Sequence, residues 1–75
     1  MDDEIVFTQH ALRKLQQRGI PKSFVFRTVT APQKVINYLG KFSAFHTFGK
    51  LYLKVVFVRK EKKVVIITQY FVDAL

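Results

Sequence analysis

Two periods run along this chain. Apolar side chains recur at helical spacing over residues 9–30 and alternate after Pro32. Thr8 is placed to N-cap a helix over about 9–18, with Ala11, Leu12 and Leu15 on one side. Gly19 suits the left-handed position that ends such a helix, and Ile20 can fold back on its last turn. Pro21 opens a second helix over about 21–30, whose apolar side is Phe24, Val25, Phe26 and Val29. The β-branched residues Val25, Thr28, Val29 and Thr30 work against that helix, and Pro32 ends it.

The alternating part predicts strands over about 33–38, 42–48, 51–59 and 63–71. Gly49-Lys50 fits a two-residue turn with glycine first, pairing Phe48 with Leu51, His46 with Leu53, Ala44 with Val55 and Phe42 with Phe57. Three residues, Lys60-Glu61-Lys62, close the next hairpin. They pair Val55 with Ile67, Leu53 with Gln69, Lys54 with Thr68 and Tyr52 with Tyr70. One face then collects Phe42, Ala44, Phe48, Leu51, Leu53, Val55, Phe57, Val65 and Ile67, and is assigned to a core under the helices. The other collects Phe45, Thr47, Tyr52, Lys54, Val56, Thr68 and Tyr70. A one-residue slip at the glycine-free Lys-Glu-Lys turn would undo this sorting. The expected fold is α+β, with two N-terminal helices packed on a four-stranded antiparallel β-meander, in one domain over residues 1–75.

Charge narrows the function. Of the 13 Lys and Arg, all but Lys62 and Lys63 lie between residues 5 and 60, where there is no Asp or Glu. The acids are Asp2, Asp3, Glu4, Glu61 and Asp73, and the net charge is +8. A body of one sign attracts a polyanion, without sequence preference. It also lacks the carboxylates that metal-dependent hydrolysis and sugar chemistry use. Nucleic acid is the expected partner, and metal-free chemistry the expected kind. With 49% apolar and 15% aromatic residues the chain is too hydrophobic for a disordered basic tail. It has no cysteine, hence no disulfide, thiolate zinc site or thiol catalysis. The acids after Met1 are the wrong charge for a secretory signal, and no apolar run approaches the ~20 residues that span a bilayer. A cytoplasmic protein without a membrane partner is expected.

Four features hold candidate chemistry. His10, Lys14 and Arg18 fall at i, i+4 and i+8, along one helix stripe. A neutral imidazole there could take the proton of a ribose 2′-hydroxyl beside two phosphate-binding cations. The same spacing also describes a solvated basic face. Tyr52, Lys54, Thr68 and Tyr70 share the second sheet face, where tyrosines stack with unpaired bases and a lysine holds phosphate. Ordinary cross-strand pairing favours those residues too. His46 sits on the apolar face, where a hydrogen-bonded core histidine is expected, and two histidines without cysteines or nearby acids make a poor metal site. The turn Arg59-Lys60-Glu61-Lys62-Lys63 contacts phosphate or blunts a sheet edge.

The strings Phe7-Thr8-Gln9-His10-Ala11, Arg18-Gly19-Ile20 and Val64-Val65-Ile66-Ile67-Thr68-Gln69-Tyr70 carry a resemblance. They resemble a family of small bacterial and archaeal proteins known as a domain of unknown function, with His-Ala, Arg-Gly-Ile and a final Thr-x-Tyr. That family is similar to the RelE-type toxins of the barnase, colicin and RelE-like ribonuclease group. The resemblance implies a RelE-like fold and a metal-independent RNase, half of a toxin–antitoxin pair, cleaving by 2′-hydroxyl attack on the adjacent phosphate. It implies RNA and an acidic antitoxin as partners, and no cofactor. His10, Arg18, Thr68 and Tyr70 match its motifs; Lys14, Lys54 and Tyr52 come from the helix stripe and the sheet register. The expected catalytic set is therefore His10, Arg18, Lys54 and Tyr70, with Lys14, Tyr52, Arg59 and Thr68 binding RNA and no metal. The alternatives are a non-catalytic basic RNA- or DNA-binding module, and a structural protein that assembles through apolar edge strands.

Overall fold

The computed structural model describes residues 3–74. The element order is β1 (Glu4–Phe7), α1 (Gln9–Gln17), α2 (Lys22–Thr30), β2 (Lys34–Tyr38), β3 (Lys41–Phe48), β4 (Leu51–Lys60) and β5 (Lys63–Val72). The strands form one sheet in the order β1-β5-β4-β3-β2.

Both helices follow from local chemistry. The Thr8 Oγ1 accepts from the Ala11 N–H at 3.0 Å, capping α1. The Thr8 N–H donates to the Ile66 carbonyl at 3.1 Å, so the cap is also fastened to β5. Gly19 takes φ +62° and ends the helix, and the Ile20 N–H returns to the Leu15 carbonyl at 3.0 Å. Pro21 occupies the N-cap of α2. Tertiary burial overrides the poor propensity of α2: Val25 and Thr28 are buried, and the Thr28 hydroxyl donates back to the Phe24 carbonyl at 2.8 Å. Each helix has nine residues, and among the described residues no helix is long and apolar enough to cross a membrane.

The four-stranded antiparallel meander is corrected to a five-stranded mixed sheet. The added strand, β1, pairs in parallel with β5, Ile5 facing Val64 and Phe7 facing Ile66. Four residues abutting a helix cap are too few to display alternation, and their partner lies at the far end of the sequence. β3 and β4 pair as expected around Gly49, which takes φ +69°, with Ala44 facing Val55 and Phe42 facing Phe57.

The last hairpin differs. Its turn has two residues, Glu61-Lys62, between paired Lys60 and Lys63, and Glu61 itself takes φ +57°. That one-residue slip turns Val64 and Ile66 into the core in place of Val65 and Ile67. A β-bulge then restores the original sorting: Phe57 faces Ile66 and Val56 faces Thr68, so Ile67 is the extra residue. Beyond it Val55 faces Gln69 rather than Ile67, Leu53 faces Phe71 rather than Gln69, Lys54 faces Tyr70 rather than Thr68, and Tyr52 faces Val72 rather than Tyr70. Leu51, also expected in the core, is exposed at the end of β4.

Both helices pack on one face, where Ala11, Leu15 and Val25 meet Ala44, Leu53, Val55, Phe57, Val64 and Ile66. Phe24 of α2 stacks on Phe48 of β3 with ring centroids 4.0 Å apart. The opposite face has no helix over it.

Candidate nucleic-acid interface

The register places one row of side chains across the uncovered face. Lys34 of β2 faces Phe45 of β3, Phe45 faces Lys54 of β4, and Lys54 faces Tyr70 of β5. Cation and aromatic ring alternate along this row. The Lys54 ammonium lies 5.9 Å from the Phe45 ring centre and 5.5 Å from that of Tyr70. Both distances are within the range of cation–π attraction, worth about 0.5–1 kcal/mol at exposed sites. Phe45 is buried although no helix covers it, as expected where the aliphatic stem of a lysine lies along an aromatic ring.

Arg18 extends the row past the sheet. It is the C-cap residue of α1, and its Nη1 donates to the Gln69 carbonyl at 2.9 Å, with a longer contact of 3.5 Å to the Thr68 hydroxyl. Its guanidinium lies 5.7 Å over the Tyr70 ring. β1 pairs only with Lys63–Ile66, which leaves the outer edge of β5 without a strand partner beyond Ile66, and Arg18 occupies that edge. The buried Gln69 side chain fixes the same corner from within, its Nε2 donating to the Ala11 carbonyl at 2.9 Å. A guanidinium has five N–H donors, so Arg18 retains donors for an anion.

Tyr52 lies two residues along β4 from Lys54, in the adjacent row between Thr47 and Val72. Thr68 lies in the row on the other side, opposite Val56. The structure therefore brings Arg18, Lys54, Tyr52, Thr68 and Tyr70 onto one surface. Among the described residues no side-chain ion pair engages Arg18, Lys34 or Lys54, so their charge is available to a ligand.

The chain belongs to a family described as a domain of unknown function, DUF4258, whose match runs over residues 7–71. The matched span takes in every residue of the row and leaves out most of β1. No curated protein and no solved structure matches the chain.

Other expected site residues lie elsewhere. His10 is exposed near the start of α1, eight residues or about 12 Å along the helix axis from Arg18. Lys14 is half-buried between them, and neither makes a side-chain hydrogen bond to the row. Of the three residues on the helix stripe, Arg18 is the one whose side chain is hydrogen-bonded to β5 among the described residues. Arg59 faces Val64 on the helix side, paired with the Asp3 carboxylate at 2.7 Å and 5.9 Å over the Phe42 ring. The half-buried His46 places its Nδ1 2.9 Å from the Ala31 carbonyl, so this histidine is hydrogen-bonded as expected but lies outside the buried core expected for it. Sequence reasoning left Lys34 and Phe45 out of the site. Pairing the 33–38 segment with the strand after Gly40 would have found them.

Proposed function

We propose that the open sheet face binds single-stranded RNA, and that the protein is a metal-independent ribonuclease toxin paired with an acidic antitoxin. The observation that carries this reading is the row Lys34–Phe45–Lys54–Tyr70–Arg18. Single strands are held by aromatic rings that stack bases and cations that track phosphates; in the row Tyr70 is the accessible ring, while the buried Phe45 backs Lys54. Tyr70 and the adjacent Tyr52 offer stacking surfaces, while Lys54 and Arg18 offer charge. The likeness of the Arg18-Gly19-Ile20 and Thr68-Gln69-Tyr70 strings to proteins related to RelE-type toxins supports the cleaving half of the proposal.

In that reaction the ribose 2′-oxygen bonds to the adjacent phosphorus and the phosphorus–5′-oxygen bond breaks. The products are a 2′,3′-cyclic phosphate and a 5′-hydroxyl, the proton lost at the 2′-oxygen being balanced by one gained at the leaving oxygen. Arg18 and Lys54 stabilise charge gathering on the phosphoryl oxygens, and Tyr70 positions the ribose. His10 lies at the end of α1 that Thr8 and Ala11 fasten to β5, and it serves as the general base or as a phosphate ligand beside the row. An antitoxin rich in acids would cover the basic face and suppress activity.

The row contains no imidazole, and that favours a second reading, a non-catalytic RNA-binding module. Incubation with labelled RNA in EDTA separates the two. The first reading expects fragments ending in 2′,3′-cyclic phosphate, reduced at least about a hundredfold by Lys54→Ala. Intact RNA, bound with an affinity that falls steeply with salt, would establish the second.

A further inference from the structure

A cleft lies on the other side of the sheet, between α2 and β3. It is a groove of about 690 Å³ lined by Ser23, Phe26, Arg27, Thr30, His46 and Phe48 among others. That volume falls within the ~300–1,000 Å³ of small-molecule sites. We propose that this groove binds a nucleotide, with its phosphate on Arg27 and its base against the aromatic wall.

The groove is built from two kinds of surface. Its floor is rigid and aromatic: Phe48 is held by the parallel stack on Phe24, and the His46 ring packs against it at 5.1 Å. Phe26 on α2 packs at a tilt against Phe7 of β1, ring centroids 6.1 Å apart, and keeps 40% of its surface exposed beside a polar rim. That rim carries the Arg27 guanidinium and the Ser23 hydroxyl, while the Thr30 hydroxyl donates to the Phe26 carbonyl at 2.8 Å and has only acceptor capacity left. Ser23, Arg27 and Thr30 recur at helical spacing, so they stand on one side of α2.

His46 supplies direction. Its Nδ1 lies 2.9 Å from the Ala31 carbonyl, which can only accept, so Nδ1 carries the proton. In the neutral ring Nε2 is then an acceptor with a fixed orientation, suited to a ribose hydroxyl or an exocyclic amine. In the protonated ring it is a second donor to phosphate.

The polar lining thus contains a cation, an imidazole and the Ser23 hydroxyl, and among the described residues no acidic one lines the groove. Such a set rejects cations and accepts a phosphate, which Arg27 can grip with two parallel N–H groups. The exposed ring of Phe26 adds what inorganic phosphate cannot use, a stacking surface for a base. A free nucleotide and a nucleotide unit of an RNA strand share this chemistry. The proposal holds whether or not the opposite face cleaves RNA.

Titration of the isotope-labelled protein with AMP, adenosine and inorganic phosphate, followed by amide NMR, tests it. AMP should move the signals of Arg27, His46 and Phe48, with adenosine and phosphate each binding at least about tenfold more weakly. Arg27→Gln, at an exposed position, should keep the fold and weaken AMP by about tenfold. Displacement of AMP by a 5′-phosphorylated trinucleotide RNA keeps the proposal and assigns the site to a strand. AMP binding without displacement keeps it and assigns a free nucleotide. The proposal is overturned if AMP leaves these signals still, moves only those around Lys54 and Tyr70, or binds no better than phosphate.

Discussion

The two faces of the sheet are made from alternate residues of the same strands, yet they end in different environments. On β4, Leu53, Val55 and Phe57 are buried under the helices, while Tyr52, Lys54, Val56 and Val58 between them stay half-buried. The covered face is held by aliphatic and aromatic packing alone, apart from Gln69 and Thr28. The open face has no second layer, and its rings and cations hold one another across the strands. Stability should therefore be concentrated on the first face and ligand chemistry on the second. A surface whose cations are already positioned against rings loses little freedom when an anion arrives.

The sharpest way to break this division is Leu53→Ala. Leu53 is fully buried at the centre of the core, so thermal or urea unfolding should show a loss of about 2–5 kcal/mol. RNA affinity of the folded fraction should not change. A loss of stability below about 1 kcal/mol would mean that the helices do not hold the sheet as described. Tyr70→Ala should do the converse. RNA affinity, read by fluorescence anisotropy, should fall by about tenfold, in line with stacking worth ~1–3 kcal/mol per base. Its cost in stability should stay near 1 kcal/mol, the scale of the cation–π contacts it makes with Arg18 and Lys54. The smallest effect belongs to neither face. Glu61 sits at φ +57°, a left-handed conformation that strains a side-chain-bearing residue. Glu61→Gly should raise stability by up to about 1 kcal/mol and leave RNA binding as it was.

The two hairpins show what was legible and why. The β3–β4 register followed from Gly49, because a turn that needs positive φ at its first position accepts glycine without strain. The β4–β5 turn needs the same backbone conformation and takes it from Glu61, which gives no such signal. The bulge at Ile67 was equally hidden. Val64-Val65-Ile66-Ile67 is apolar throughout, so a change of parity within it leaves no trace in the alternation. β1 was too short to show a period, and its parallel partner lies 59 residues further on.

The site was partly legible for the same reasons. Lys54 was assigned to the open face by the β3–β4 register, and Thr68 and Tyr70 because two errors of parity, one at the turn and one at the bulge, cancel beyond Ile67. The reach of Arg18 around the β5 edge depends on where β1 stops pairing, and nothing in the helix stripe reveals that. The stripe grouped His10 and Lys14 with Arg18, and helix rise sets His10 about 12 Å along the axis from it, at the end of α1 that is fastened to β5 through Thr8 and Ala11. Arg59 was read from a charged turn, without its partner Asp3 in view.

Lys54 and Arg59 give the most direct test of the central claim. Both are cations on β4 beside aromatic rings, and replacement of either by alanine removes one positive charge. They differ in face: Lys54 is in the open row, while Arg59 points to the helix side and is paired with Asp3. The dissociation constant of a short single-stranded RNA should be measured for both variants at one salt concentration. The account predicts a weakening of about tenfold for Lys54→Ala and less than about twofold for Arg59→Ala. Equal losses would show that net charge alone binds RNA, and the open face would have no special role.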